Sequence, residues 1–220
     1  MNALRNVYLA SLLAAACATA QTAELSLEGS RLVVSGMLDG SAVQVFLAQV
    51  RGANVQTVVF EDSLGGSAEV AGLYADAIRE TGVNTEVVGQ CHAACAYAFL
   101  AGKIHRFGEG EQVNALLIPV GTRPKPNELA SRWRGQDAAY RTLAEFTVPS
   151  DATQDLVNTS DATPPKEKWR PEHGVLFVAK PTLFGRIYNT YYCDGNQGRD
   201  FTRCELMSDA DPRKLGVIDD

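Results

Sequence analysis

Apolar and polar positions follow two periods along the first half of the chain. Residues 24–27 and 31–35 are short apolar-rich runs separated by Glu28-Gly29-Ser30, the pattern of a β-hairpin or of consecutive edge strands. Asp39-Gly40-Ser41 reads as a turn and helix start. Val43, Phe46, Leu47 and Val50 then fall at i, i+3, i+4 and i+7, an amphipathic helix that closes near Gly52. Residues 55–60 are a β-branched run suited to a buried parallel strand, which stops at Gly65-Gly66. A second helix is predicted over 67–81, closed by Gly82, then a strand over 85–88 ending at Gly89, then a small-residue helix over 93–101. Strand and helix alternate with short connections, which predicts right-handed βαβ units and a mainly parallel α/β sheet with helices packed on it.

Past Lys103 the pattern is less regular. Residues 113–120 read as one further strand, 128–146 as a helix, and 149–171 as a polar loop with four prolines and room for one short helix. Residues 175–178 and 187–192 read as strands, and 207–220 as a frayed tail.

The first twenty residues differ in kind. One cation, Arg5, precedes an apolar run over 7–16 and the small-x-small triplet Ala18-Thr19-Ala20, the layout of a secretory signal peptide. The run is too short for a membrane span. Cleavage after Ala20 is favoured over acylation of Cys17, because Ala14 stands where a lipobox carries Leu. The expected organisation is therefore a signal peptide over 1–20, an α/β domain over 21–180, and a disulfide hairpin and tail over 181–220.

Composition adds a few exclusions. With 45% hydrophobic and 21% charged residues, 19 Gly and 9 Pro in 220 residues, the chain is not a coiled coil, a collagen-like repeat, a disordered tail or a miniature disulfide knot. Losing Arg5 takes the formal charge from −6 to −7, which argues against a nucleic-acid or anionic-membrane partner. Four cysteines remain after cleavage, Cys91, Cys95, Cys193 and Cys204, an even number for an oxidising compartment. Cys193 and Cys204 read as a hairpin disulfide around Asp194-Gly195-Asn196. Cys91 and Cys95 either pair with each other or are buried as small hydrophobes.

Two motifs lie where a strand hands over to a helix, at the carboxyl ends of strands where functional groups of α/β sheets gather: Gly65-Gly66 and Cys91-His-Ala-Ala-Cys95. Paired glycines let backbone N–H groups approach a ligand or a developing oxyanion, though a plain tight turn uses them as well.

Together the pieces carry a resemblance. Phe60-Glu-Asp-Ser-Leu-Gly65-Gly66-Ser67, then Ala77-Ile-Arg79, Thr85-Glu-Val, Cys91-His-Ala-Ala-Cys95 and Phe99-Leu-Ala-Gly102, resemble the exported relatives of the Clp protease proteolytic subunit, in the crotonase-like superfamily. The resemblance covers residues 25–120. It implies a repeated ββα spiral with a mainly parallel sheet, an irregular C-terminal extension, and assembly into a homo-oligomeric ring or trimer. In that family a Ser between two cysteines is the nucleophile, and a His on a later strand is the base. Here Ala93 holds the nucleophile's place and Ile118 the base's, and no His occurs from 106 to 170. The third, acidic member falls on Asp151, Asp155 or Asp161. Leu64 replaces the usual Pro before the glycines. What the resemblance leaves in place is the scaffold and the oxyanion elements Gly65, Gly66 and the N–H of Ala94.

Other routes to catalysis are poorer. Cys91 or Cys95 as nucleophile with His92 as base suffers from adjacent residues pointing apart and from oxidation of the thiols. A metal site on Cys91, His92 and Cys95 lacks a second ligand cluster. Ser67 lacks the Gly that closes a nucleophile elbow and suits a helix N-cap. His105 and His173 read as surface or structural residues. The sequence thus predicts an exported pseudoenzyme that binds a peptide or protein partner. It implies no metal, no cofactor, no nucleic acid, no membrane span and no ATP-driven unfoldase. The alternatives are a hydrolase using Cys91 or Cys95, or an interaction protein using the aromatic run Ile187–Tyr192.

Overall fold

In the computed structural model, the described residues are 22–52, 54–110, 112–120, 173–182, 185–194, 197 and 200–219. The leader predicted over 1–20, the helix over 128–146, the loop over 149–171 with its three aspartates, and the turn at Gly195 and Asn196 lie outside them.

The elements run β1 (Glu24–Glu28), β2 (Arg31–Ser35), α1 (Val43–Gly52), β3 (Thr57–Ser63), α2 (Ala68–Thr81), β4 (Asn84–His92), α3 (Ala94–Phe99), β5 (His105–Phe107), β6 (Asn114–Pro119), β7 (His173–Thr182), β8 (Gly185–Asp194) and β9 (Glu205–Leu206). The nine strands among the described residues belong to one sheet in the order β1-β2-β3-β4-β6-β7-β8-β9, with β5 beside β4 off that path. The predicted mainly parallel sheet is parallel only at its centre. β2, β3, β4 and β6 run parallel because α1, α2 and α3 provide crossovers. β1 is antiparallel through the Gly29-Ser30 turn, and β7, β8 and β9 add antiparallel to β6. The chain is thus a mixed α/β sheet with parallel central strands and three helices among the described residues.

Alternation along the strands separates the two faces. Leu32, Val34, Val58, Phe60, Val87, Cys91, Leu116, Ile118, Val175 and Phe177 point into a core shared with all three helices. Phe46 of α1 and Tyr74 of α2 stack at 3.9 Å within it. On the other face Ala115, Leu117, Leu176, Val178 and Cys193 form a smaller cluster, with Tyr191, Phe201 and Cys204 against it. Towards β2, this face carries ions instead. Glu86, 5% exposed, accepts two bonds from Arg31 at 2.8 and 3.1 Å and one from Arg106 at 2.9 Å. Arg31 is in register with Thr57 and Glu86 with Val59, so the pair reaches across β3, where both residues are buried. Burial pushes the Glu86 carboxyl up, but the two guanidinium groups outweigh it and hold its pKa below the usual value.

Four expectations change. β4 does not end at Gly89 but continues to His92, because Gly89 takes a left-handed φ of +70° and the Asp62 carboxylate bonds the next N–H, Gln90, at 3.1 Å. A Cβ on Gly89 would lie 2.1 Å from Asp62 Oδ1, so only glycine fits. The strand at β5 has no counterpart in the pattern reading. The expected boundary at 180/181 falls inside β7, and β8 pairs with β7 along its length. The tail is not frayed: Leu215, Val217 and Ile218 are buried in the main core, and Asp219 pairs with β5 through its N–H to the His105 carbonyl at 2.7 Å.

His105 is buried beside Phe99, with its Nδ1 3.5 Å from the Asp219 carboxylate. Burial lowers its pKa below the ordinary 6.5, and the Asp219 charge only partly opposes this. The unfolded chain therefore binds this proton more readily than the folded one. Stability is present above pH 6.5 and declines as pH falls from there towards the lowered folded value. Urea unfolding at pH 7.5 and 5.5 should show lower stability at the acid value, and His105→Phe should flatten that difference. An unchanged slope in the variant assigns the pH dependence to another group.

Candidate functional site

The Gly65-Gly66 turn and the 91–95 segment come together at the carboxyl ends of β3 and β4. Ser63 is in register with Cys91, and a Cβ on Gly65 would sit 3.8 Å from the His92 carbonyl oxygen. The glycine turn is held from its other side by Leu38, whose N–H donates to the Gly65 carbonyl at 3.0 Å and whose carbonyl accepts from Ser67 N–H at 2.8 Å. A Cβ on Gly66, at φ +147°, would lie 2.3 Å from the Leu38 oxygen. The turn is thus a close backbone approach that Leu64, in place of Pro, does not prevent. Two of its polar groups are committed to Leu38. Ser67 occupies the N-cap position of α2, but its side chain makes no capping bond.

β4 passes into α3 through a single residue. Ala93 has φ +49° and ψ −111°, a conformation that L-residues other than glycine avoid. Its N–H donates to the Leu117 carbonyl of β6 at 3.0 Å, and its carbonyl accepts from Tyr97 N–H at 3.1 Å. Cys91 and Cys95 are joined by a disulfide across this residue, with a Cα–Cα distance of 5.3 Å and no exposure at either. This is a strand-to-helix elbow whose apex carries a methyl group.

Cys91 and His92 lie on a strand rather than a helix. They point to opposite faces, Cys91 into the helix-side core and His92 onto the other side, so the pairing of thiol and imidazole is defeated by more than the helical angle. Ile118 is fully buried among core side chains beneath the helices. Ala94 and Gly65 are buried, while Gly66 and Ala93 are partly exposed.

Open space lies one residue before Gly65 and Ala93, at Leu64 and His92. A cavity of about 160 Å³ on the sheet face opposite the helices is bounded by Leu64, His92, Ala115, Leu176, Phe201 and Cys204, among others. Its far wall is Phe201 with the second disulfide, Cys193–Cys204. Strand alternation carries the signal for one wall, since Leu176 and Val178 occupy alternate positions, but the pattern does not say that Phe201 and Cys204 pack against them. His173, half buried, has its Nδ1 2.9 Å from the Tyr192 hydroxyl and stacks on that ring. Among the described residues no group of three or more His, Cys, Asp or Glu side chains is placed to hold a metal ion. No described helix is long and apolar enough to cross a membrane.

No family model matches the chain, and no curated protein matches it. A solved structure of a membrane-bound stomatin-specific protease, a Ser-to-Ala mutant, is similar at 14% identity and a TM-score of 0.34, over 54% of this chain and 68% of that one.

The two backbone constraints respond oppositely to substitution. Ala93→Gly releases strain of about 1–3 kcal/mol at the elbow against about 1 kcal/mol of added chain entropy, so the urea midpoint should rise or hold. Gly66→Ala should lose about 3 kcal/mol or more, because the Leu38 carbonyl must move. A destabilised Ala93→Gly, with m unchanged, rules out strain at the elbow.

Proposed function

We propose that this chain is an exported, Clp-peptidase-like domain of the crotonase-like superfamily that has lost its nucleophile and base and acts as a binding or assembly module, its cleft taking an extended peptide. The elbow carries the reading. A positive-φ apex between a buried strand and a helix is the geometry that presents a nucleophile, and it costs about 1–3 kcal/mol to maintain. Ala93 maintains it without a hydroxyl or thiol to present.

The neighbouring groups supply no replacement. The sulfurs of Cys91 and Cys95 are joined to each other in the core, so neither is a thiolate. His92 faces the other side of the sheet, and Ile118 has neither proton nor lone pair to exchange. This disfavours the hydrolase alternative. The aromatic run of β8 gives the C-terminal alternative little, because Tyr188 and Tyr192 pack against the core.

Purified protein isolated without reductant should show no turnover of p-nitrophenyl esters or casein above buffer, no labelling by a fluorophosphonate, and no iodoacetamide-reactive thiol among Cys91, Cys95, Cys193 and Cys204. Ala93→Ser should stay unlabelled, because a lone Ser without a base keeps only what binding and an oxyanion hole provide. Turnover in the wild-type protein that disappears in His92→Gln overturns the pseudoenzyme reading.

A further inference from the structure

The sheet face opposite the helices carries two hollows side by side, with opposite chemistry. The first is the apolar cavity of about 160 Å³ beside the elbow, room for one Leu- or Phe-sized side chain. Leu64 and Val113 on its rim are 37% and 44% exposed, apolar surface that remains in water. The second, about 230 Å³, lies over β1 to β4 and contains Glu24, Glu28 and Glu61. Its cation, Arg31, is already engaged by Glu86 at 2.8 and 3.1 Å, so the hollow presents net negative charge.

The two are adjacent along the strands. β4 contributes Val88 to the acidic hollow and Gln90, two residues on, to the apolar one; β3 and its exit contribute Glu61 and Leu64 in the same order. Residues i and i+2 of an extended chain face the same way about 7 Å apart. We propose that this face binds an extended polypeptide segment that places an apolar side chain in the cavity beside the elbow and a Lys or Arg, two residues away, against Glu61. The proposal rests on the binding-module reading and names the partner's chemistry. The acidic half selects against anionic ligands, and the small apolar half selects one anchoring side chain rather than a long acyl chain.

The test uses the full chain and a fluorescein-labelled peptide, Gly-Lys-Gly-Leu-Gly-Lys-Gly, followed by anisotropy at low salt. Two controls replace both Lys by Glu, or Leu by Ser. Saturable binding of the first peptide is expected, weaker by about tenfold or more for each control. Glu61→Lys should reduce the preference for the Lys peptide over the Glu peptide, Glu24 and Glu28 remaining in the hollow, and Leu64→Asp should weaken binding of all of them. Both side chains stand partly in water, so the variants keep the fold, checked by their urea midpoints. Binding that ignores peptide charge and Glu61→Lys overturns the proposal while leaving the binding-module reading in place. No saturable binding of any peptide overturns both. Sedimentation that finds a dimer dispersed by Leu64→Asp also overturns the proposal, assigning the face to a second copy of the chain.

Discussion

A buried strand that must become a helix within one residue imposes the constraint on which the site depends. The direction of β4 and the direction of α3 are reconciled at Ala93 by a dihedral pair that its side chain resists, and neighbours on three sides hold it there. The Leu117 carbonyl takes the N–H, the Tyr97 amide takes the carbonyl, and the Cys91–Cys95 disulfide ties the strand to the first turn of the helix across the apex. None of these contacts is interchangeable with ordinary core packing. The disulfide limits how far the unfolded chain can separate strand from helix, while the hydrogen bond to β6 fixes the elbow to the sheet. Because β6 is also the strand on which β7 and β8 build, the elbow and the antiparallel half of the sheet share one support.

The glycine turn is constrained by proximity rather than by strain at a side chain. Leu38 lies in the connection from β2 to α1, and its backbone is bonded on both sides of Gly66. This clasp joins the first βαβ crossover to the start of the second, so the position of α2 over the core follows from a contact with no side chain at its centre. The contrast with Glu86 is instructive. There a buried carboxylate is made tolerable by two guanidinium groups that remain 38% and 41% exposed, so the arrangement keeps two cations in contact with water and seals Val59 beneath them. One face of the sheet is closed by helices, and part of the other by an ion lattice.

How much of this was legible in the sequence follows from where the periodicity is local. α1 and α2 have caps, glycines and apolar spacing within one turn of each other, and their bounds agree with the pattern to within a residue or two at each end. The hairpin of β1 and β2 is announced by Gly29. β4 was cut short because Gly89 reads as a stop, yet its left-handed φ is satisfied within the ladder by a carboxylate 27 positions earlier, which no local pattern contains. The buried tail was missed for a similar reason. Leu215, Val217 and Ile218 are spaced too irregularly to announce an element, and their burial depends on the edge left open by a three-residue strand, β5. At the site, residue identities give the expectation that Ala93 and Ile118 stand where the resemblance puts a nucleophile and a base. They were not enough to put Cys91 and His92 on opposite faces, because that required knowing the strand continued.

The cavity explains why the functional elements and the open space are offset by one residue. In a strand, consecutive side chains alternate between faces, so residues that build an elbow on the helix side necessarily send their immediate neighbours to the other. Leu64 precedes Gly65 and His92 precedes Ala93, and both neighbours line the hollow, while Ala93 at the apex of the elbow is partly exposed. In the proposed binding, the segment meets the side chains of Leu64 and His92. Selectivity in that binding is set by the volume behind Leu64 and the charge around Glu61, and the Cys193–Cys204 disulfide holds Phe201 and Cys204 at the far wall of the apolar half. A site organised in this way would, in the proposed binding, discriminate among partners by shape and charge.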